Sequence, residues 1–140
     1  MTRLQRLRRQ QVTLPALPRA VPLARITAQV LYTQWGLRAG DRILDASLLI
    51  LSELATNSVR HAAEVSPVLT VTYAVGADVL AFAVHDRHPF HPLREGVAAD
   101  PCAGDGLVMV MELTHELGGT LTVRPDPDQV GKSVWITLPL

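Results

Sequence analysis

Apolar positions recur along this chain with two different spacings. Over residues 19–37, Val21, Ala24, Ala28, Leu31 and Trp35 fall three or four residues apart, the period of one helix face. Pro22 suits that helix only in its first turn, where no intrahelical amide is needed. Gly36 to Gly40 breaks the pattern, and Asp41 then stands where a cap is wanted for a second helix reaching to about Ala62. After Pro67 the period drops to two. Leu69, Val71 and Tyr73 alternate with Thr70, Thr72 and Ala74, and the turn Gly76-Ala77-Asp78 leads into a more continuous apolar run over residues 79–85, so the pair reads as a hairpin. Residues 88–103 hold three prolines and a glycine with no period, a loop of the length usually kept for lids and binding loops. Val108, Val110, Met111, Leu113 and Leu117 restore helical spacing over residues 105–117, and Gly118-Gly119 ends it. Residues 120–124 and 132–138 alternate as strands around a Pro-Asp-Pro-Asp turn. Near the start, prolines limit residues 12–17 to a short edge strand.

The order strand, helix, helix, hairpin, lid, helix, two strands predicts a two-layer α/β sandwich, with helices on one face of a mixed, mostly antiparallel sheet. The 140 residues are enough for one domain with a real core. Residues 12–140 are expected to form it, and residues 1–11 a disordered basic arm, since Arg3, Arg6, Arg8 and Arg9 lie in the first nine positions. Formal net charge is zero, which gives no global pull toward nucleic acid. The longest clean apolar run, residues 79–84, is far too short to span a bilayer. Cys102 is the single cysteine, so no internal disulfide forms, and a cytoplasmic protein is the expectation.

The second helix carries an anomaly. At 100° per residue, Leu44, Leu48, Leu51, Ala55, Val59 and Ala62 make an apolar stripe for the sheet, and Asp45, Ser52, Thr56 and Arg60 make a solvated one. Glu53, Asn57 and His61, spaced four apart on one face, belong to neither. They share a sector with Ile43, Ala46, Ile50 and Leu54. Polar groups set among apolar ones need partners: a bound nucleotide with its magnesium, or a neighbouring backbone or basic group. Three further features follow in order. Asp86 stands just past a buried strand, where an acid is most often a turn residue. Gly104-Asp105-Gly106-Leu107 follows the loop and opens a helix, a place where backbone amides bind anions. Gly131-Lys132-Ser133-Val134-Trp135 leads into the last strand.

Glu53-x-x-x-Asn57-x-x-x-His61-Ala62 resembles the N box of the GHKL, or Bergerat-fold, ATPase superfamily. The strand-terminal Asp86, the lid, Gly104-x-Gly106-Leu107 and the late Gly131-Lys132-Ser133 complete a similar arrangement over nearly the whole chain. The nearest likeness is to the single-domain actinobacterial anti-sigma-factor proteins of the serine-protein-kinase type. That resemblance implies ATP and Mg2+ as cofactors, with Asn57 as the magnesium ligand and Glu53 as the general base. It implies that Asp86 accepts the adenine amino group with Ser133 supporting it, and that Gly104, Gly106 and Leu107 hold the phosphates. His61 and Lys132 complete the cofactor-binding set. It also implies protein partners, a sigma factor or an anti-sigma-factor antagonist phosphorylated on Ser or Thr, and it allows a homodimer.

The chain departs from the family pattern twice. Asp86 is followed by Arg87-His88-Pro89-Phe90 with no glycine, and Asp105 puts a carboxylate between the phosphate-loop glycines. Each is expected to weaken nucleotide binding. A non-catalytic regulatory module on the same fold is therefore the alternative to the kinase. A metal site at His85, His88 and His91 is disfavoured, because no cysteine or helical histidine pair accompanies them.

Overall fold

The computed structural model describes residues 7–62, 65–88 and 101–140. In chain order the elements are strand β1 (Arg8–Pro15), helices α1 (Ala20–Gln34) and α2 (Arg42–Ala62), the hairpin β2 (Val68–Val75) and β3 (Val79–Asp86), helix α3 (Pro101–Glu116), and strands β4 (Thr120–Pro125) and β5 (Lys132–Pro139). The strands form one five-stranded sheet in the order β1-β2-β3-β5-β4. Every pairing is antiparallel, so the two-layer sandwich predicted from the periodicity is present with a more uniform sheet than the mixed one expected.

Strand alternation builds the core. Tyr73, Phe82 and Ile136 lie side by side in register, as do Val71, Val84 and Val134, and all six are buried under the helices. The other face of the same strands carries Thr72, Ala83 and Trp135. There Arg124 covers the Trp135 ring at 5.6 Å from its centroid. Helix α1 packs on β2, α2 on β3 and β5, and α3 on β4 and β5, which leaves α2 between the other two. That position explains how its apolar residues are used. Leu44, Leu51 and Ala55 of the expected sheet stripe are buried, and so are Ile50 and Leu54 from the sector that holds Glu53 and Asn57. A central helix is covered on its flank as well as its base.

Local chemistry sets the helix ends. Ala20, Ala24, Ala28 and Tyr32 repeat every four residues and are fully buried, so small side chains let α1 lie close to the sheet. The Tyr73 hydroxyl donates to the Ala24 carbonyl at 2.8 Å, and that of Tyr32 to the Ala81 carbonyl at 2.6 Å, pinning α1 to the strands. Gly36, at φ +112°, closes the helix while the Leu37 amide reaches back to the Tyr32 carbonyl at 2.9 Å. Asp41 caps α2 as expected, its Oδ1 accepting from the Ile43 amide at 2.8 Å.

Two boundaries differ from the expectation. Strand β1 starts at Arg8, so residues 8–11, assigned to the arm, are paired with β2 from Arg8↔Val75 to Gln11↔Thr72. Helix α3 starts at Pro101, so Gly104 and Gly106 lie inside its first two turns. Intrahelical bonds begin with the fifth amide of a helix, and the Gly106 and Leu107 amides are therefore not the free donors that a helix opening at residue 105 implied. Of the expected lid, residues 89–100 lie outside the described residues, as do residues 1–6 of the arm. Among the described residues no helix is long and apolar enough to cross a membrane.

Candidate functional site

The inner face of the sheet ends in a charge pair. Phe82 and Val84 on β3, and Ile136 and Val134 on β5, lead in steps of two to Asp86 and Lys132, which are paired in register. Asp86 is 2% exposed and Lys132 is 9% exposed. Lys132 Nζ donates to Asp86 Oδ1 at 2.6 Å, the His88 amide donates to the same oxygen at 3.0 Å, and the Ser58 hydroxyl donates to Oδ2 at 2.6 Å. Three of the roughly four acceptor positions of the carboxylate are thus filled. Burial, and then the nearby Lys132 charge, hold the His88 imidazole below its usual pKa, against the opposite pull of Asp86.

Helix α2 supplies the opposite wall. Leu54, Asn57, Ser58 and His61 face Val84, Asp86, Leu107, Lys132 and Val134 across a cavity of about 30 Å³. That is room for about one water molecule and far less than a purine base. Asn57 Nδ2 is buried there without a hydrogen-bond partner among the described residues. One turn earlier, Glu53 sits on the seam between α2 and α3. A methyl group added at Gly106 would overlap Glu53 Oε1, so the glycine is what lets the carboxylate lie against the α3 backbone.

The structure thus brings together Asn57, His61, Asp86, Leu107 and Lys132 around one cavity, with Glu53 and Gly106 touching beside it. It does not bring Ser133 to that cavity. Ser133 pairs with His85 on the outer face of the sheet, because adjacent strand residues point to opposite sides. The support for Asp86 expected of Ser133 comes instead from Lys132 and Ser58. Ser58 is the site residue missed by sequence reasoning, and its signal was available. It falls in the apolar stripe of α2 next to Ala55 and is 8% exposed. Ser47, also buried in α2, satisfies itself on the Ile43 carbonyl at 2.7 Å, whereas the Ser58 hydroxyl reaches across to another element.

Below the pair, a second cluster holds the β4–β5 turn against β3. His85 Nε2 lies 3.0 Å from Asp126 Oδ2, and Arg87 bridges Asp126 at 2.6 Å and Asp128 at 2.7 Å. The hydrogen bond to His85 and then that from Arg87 hold the Asp126 carboxyl below the usual carboxylate range, although partial burial pulls the other way. Arg87 does the same for Asp128. Of the three histidines weighed as a metal site, His85 is committed to Asp126 and His91 lies outside the described residues.

The two ends of the cavity differ in what they fit. Asn57 offers the hard side-chain oxygen that a magnesium ion takes, and its Nδ2 donor suits a phosphate oxygen, but the cavity of about 30 Å³ must widen to admit either. At Asp86 the carboxylate already holds an ammonium and a hydroxyl, and among the described residues the cavity is too small for a base.

A sequence model described as a histidine kinase-like ATPase domain matches residues 14–138. Among solved structures the fold is similar to that of the RsbU and RsbW domains of Rv1364c from Mycobacterium tuberculosis, with a TM-score of 0.61 and 20% identity, covering 95% of this chain and 33% of that one. This chain therefore spans about a third of that protein's length. The mycobacterial sensor histidine kinase MprB is similar at a TM-score of 0.50 and 18% identity, over 69% of this chain and 73% of that one. At such identities the likeness establishes the fold. No curated protein matches the chain by sequence.

Proposed function

This chain belongs to the histidine kinase-like ATPase domain family, and from that premise we propose that it is an ATP-binding regulatory protein of the anti-sigma-factor kinase type. The observation that carries the proposal is Asn57, whose buried Nδ2 lacks a partner among the described residues, on a helix face shared with Glu53 and His61. An unsatisfied buried donor costs about 1–3 kcal/mol, and a ligand that satisfies it offsets that cost. In this reading the nucleotide supplies the phosphoryl group when bound. Asn57 would hold Mg2+ through its side-chain oxygen. Gly104, Gly106 and Leu107 would line the phosphate end, with His61 beside them, and Asp86 and Lys132 the base end. Glu53, held on the seam, would take the proton from a Ser or Thr hydroxyl of the partner. The partner would be an anti-sigma-factor antagonist, the inhibited protein a sigma factor, the compartment the cytoplasm and the assembly a homodimer.

A titration with ATP and magnesium, followed by phosphotransfer to a candidate antagonist, tests this. Asn57→Ala is expected to abolish magnesium-dependent affinity. Glu53→Ala should leave binding largely intact and remove transfer, because a base acts on the hydroxyl only during reaction. Equal loss of binding in both variants would contradict the separate roles.

A second reading has its own observation. The engagement of Asp86 by Lys132 and Ser58, with no glycine after it, favours a non-catalytic module that binds its partner without turning over ATP. Binding of the partner by a protein that shows no transfer at saturating ATP decides for this reading.

A further inference from the structure

We propose that Lys132 is the residue that governs access of the base to this pocket: on Asp86 it acts as a latch that closes the base end, and a nucleotide enters only by displacing it. The proposal rests on the nucleotide reading of the pocket.

Three features support a latch rather than an incidental surface pair. The first is placement by the backbone. The β3–β5 register sets Asp86 opposite Lys132, and the two side chains meet at 2.6 Å on the helix-facing side. The second is surroundings. Leu54, Val84, Leu107 and Val134 wall the cavity, and a weakly polar setting strengthens the attraction between the charges. The third is completeness. With Ser58 on the other oxygen and the His88 amide sharing the first, an incoming amino group finds the carboxylate already served.

The exchange needed for binding is unfavourable on chemical grounds. A base amino group is a neutral donor, and Lys132 is a charged one. Both bonds to the Asp86 carboxylate are charge-assisted, but the ammonium adds a full unit-charge attraction that a neutral amino group lacks, so a base gains less from Asp86 than the ammonium loses. The latch is nonetheless able to open. The Lys132 side chain is 11% exposed, and a lysine stem is flexible enough to carry its head out toward water. Lys132 therefore lowers affinity for any base read by Asp86, without touching the phosphate end at Asn57 and Gly106.

The test compares unmodified protein with Lys132→Thr, which keeps a small neutral donor, and with Lys132→Met, which keeps the stem and removes the charge. Circular dichroism first verifies that each is folded, and either variant alone suffices for the comparison. Each is titrated calorimetrically with Mg-ATP and with magnesium tripolyphosphate, which has no base. The expected result is Mg-ATP affinity at least about tenfold higher in the variants, because the ion-pair attraction between Lys132 and Asp86 no longer has to be given up, a tenfold change being about 1.4 kcal/mol, and no gain for tripolyphosphate. Equal Mg-ATP affinity in all three proteins would leave the nucleotide pocket standing and remove the latch. A matching gain for tripolyphosphate would also overturn it, because the effect would not be specific to the base. Absence of Mg-ATP binding in every protein would refute the nucleotide reading, and the latch with it.

Discussion

Replacing Lys132 by Met in the ligand-free protein should lower its stability by about 3 kcal/mol, and the origin of that number can be traced. Removing one partner of a buried ion pair costs about 3–5 kcal/mol, because the remaining charge is left desolvated. Asp86 at 2% exposure is such a charge. It keeps the Ser58 hydroxyl and the His88 amide, which places the cost near the lower bound. Asp86→Asn should cost less, about 2 kcal/mol, since the Lys132 head can move toward water. In the double variant neither charge remains, and the loss should be about 2 kcal/mol instead of the sum of the two single losses, giving a coupling of about 3 kcal/mol. For a domain of this size the single Lys132→Met change corresponds to a fall in Tm of about 10 °C. Urea unfolding followed by circular dichroism at neutral pH, without nucleotide, measures all four corners of the cycle. Additivity within about 0.5 kcal/mol would show that the two groups do not interact as a buried pair, and the reasoning about the latch would lose its energetic basis.

Other perturbations probe the rest of the site. Asn57→Leu should raise ligand-free stability by about 1 kcal/mol by removing an unsatisfied donor, while abolishing Mg-ATP binding; a destabilised variant in thermal melts would mean that the amide has a partner. Gly106→Ala brings a helix-propensity gain of about 1 kcal/mol, but the new methyl meets Glu53 Oε1. That oxygen ends a flexible side chain that can move aside, so the gain should be smaller with Glu53 present than in a Glu53→Ala background, and equal effects in both backgrounds would refute the contact at the seam. The carboxyls of Asp126 and Asp128 have folded pKa values below their unfolded ones, so as pH falls the unfolded chain takes up protons first. Their contribution is full above the usual carboxylate range and is lost as pH drops through the depressed folded values. Asp126→Asn should flatten that acid limb in urea midpoints measured against pH, and a limb of unchanged slope would refute the assignment.

Local periodicity was enough to find both long helices, the hairpin, the last two strands, the Asp41 cap and the row Glu53, Asn57 and His61, because side-chain direction within one element depends only on its own 3.6- or 2-residue repeat. It was not enough for β1. Arg8, Arg9, Gln10 and Gln11 are exposed and read as an arm; only backbone pairing with β2 makes them a strand. The start of α3 at Pro101 was missed in a similar way, since its first turn lacks the apolar spacing that marks the rest. Site chemistry divides along the same line. That Asp86 ends a buried strand could be read from the chain, but which donors reach it could not. The choice of Lys132 over its neighbour Ser133 is a matter of β3–β5 register, where a shift of one residue would exchange the two faces. The contact with Ser58 depends on α2 lying over β3 at that level. Those are distances between elements far apart in sequence, and only the packed tertiary structure decides them.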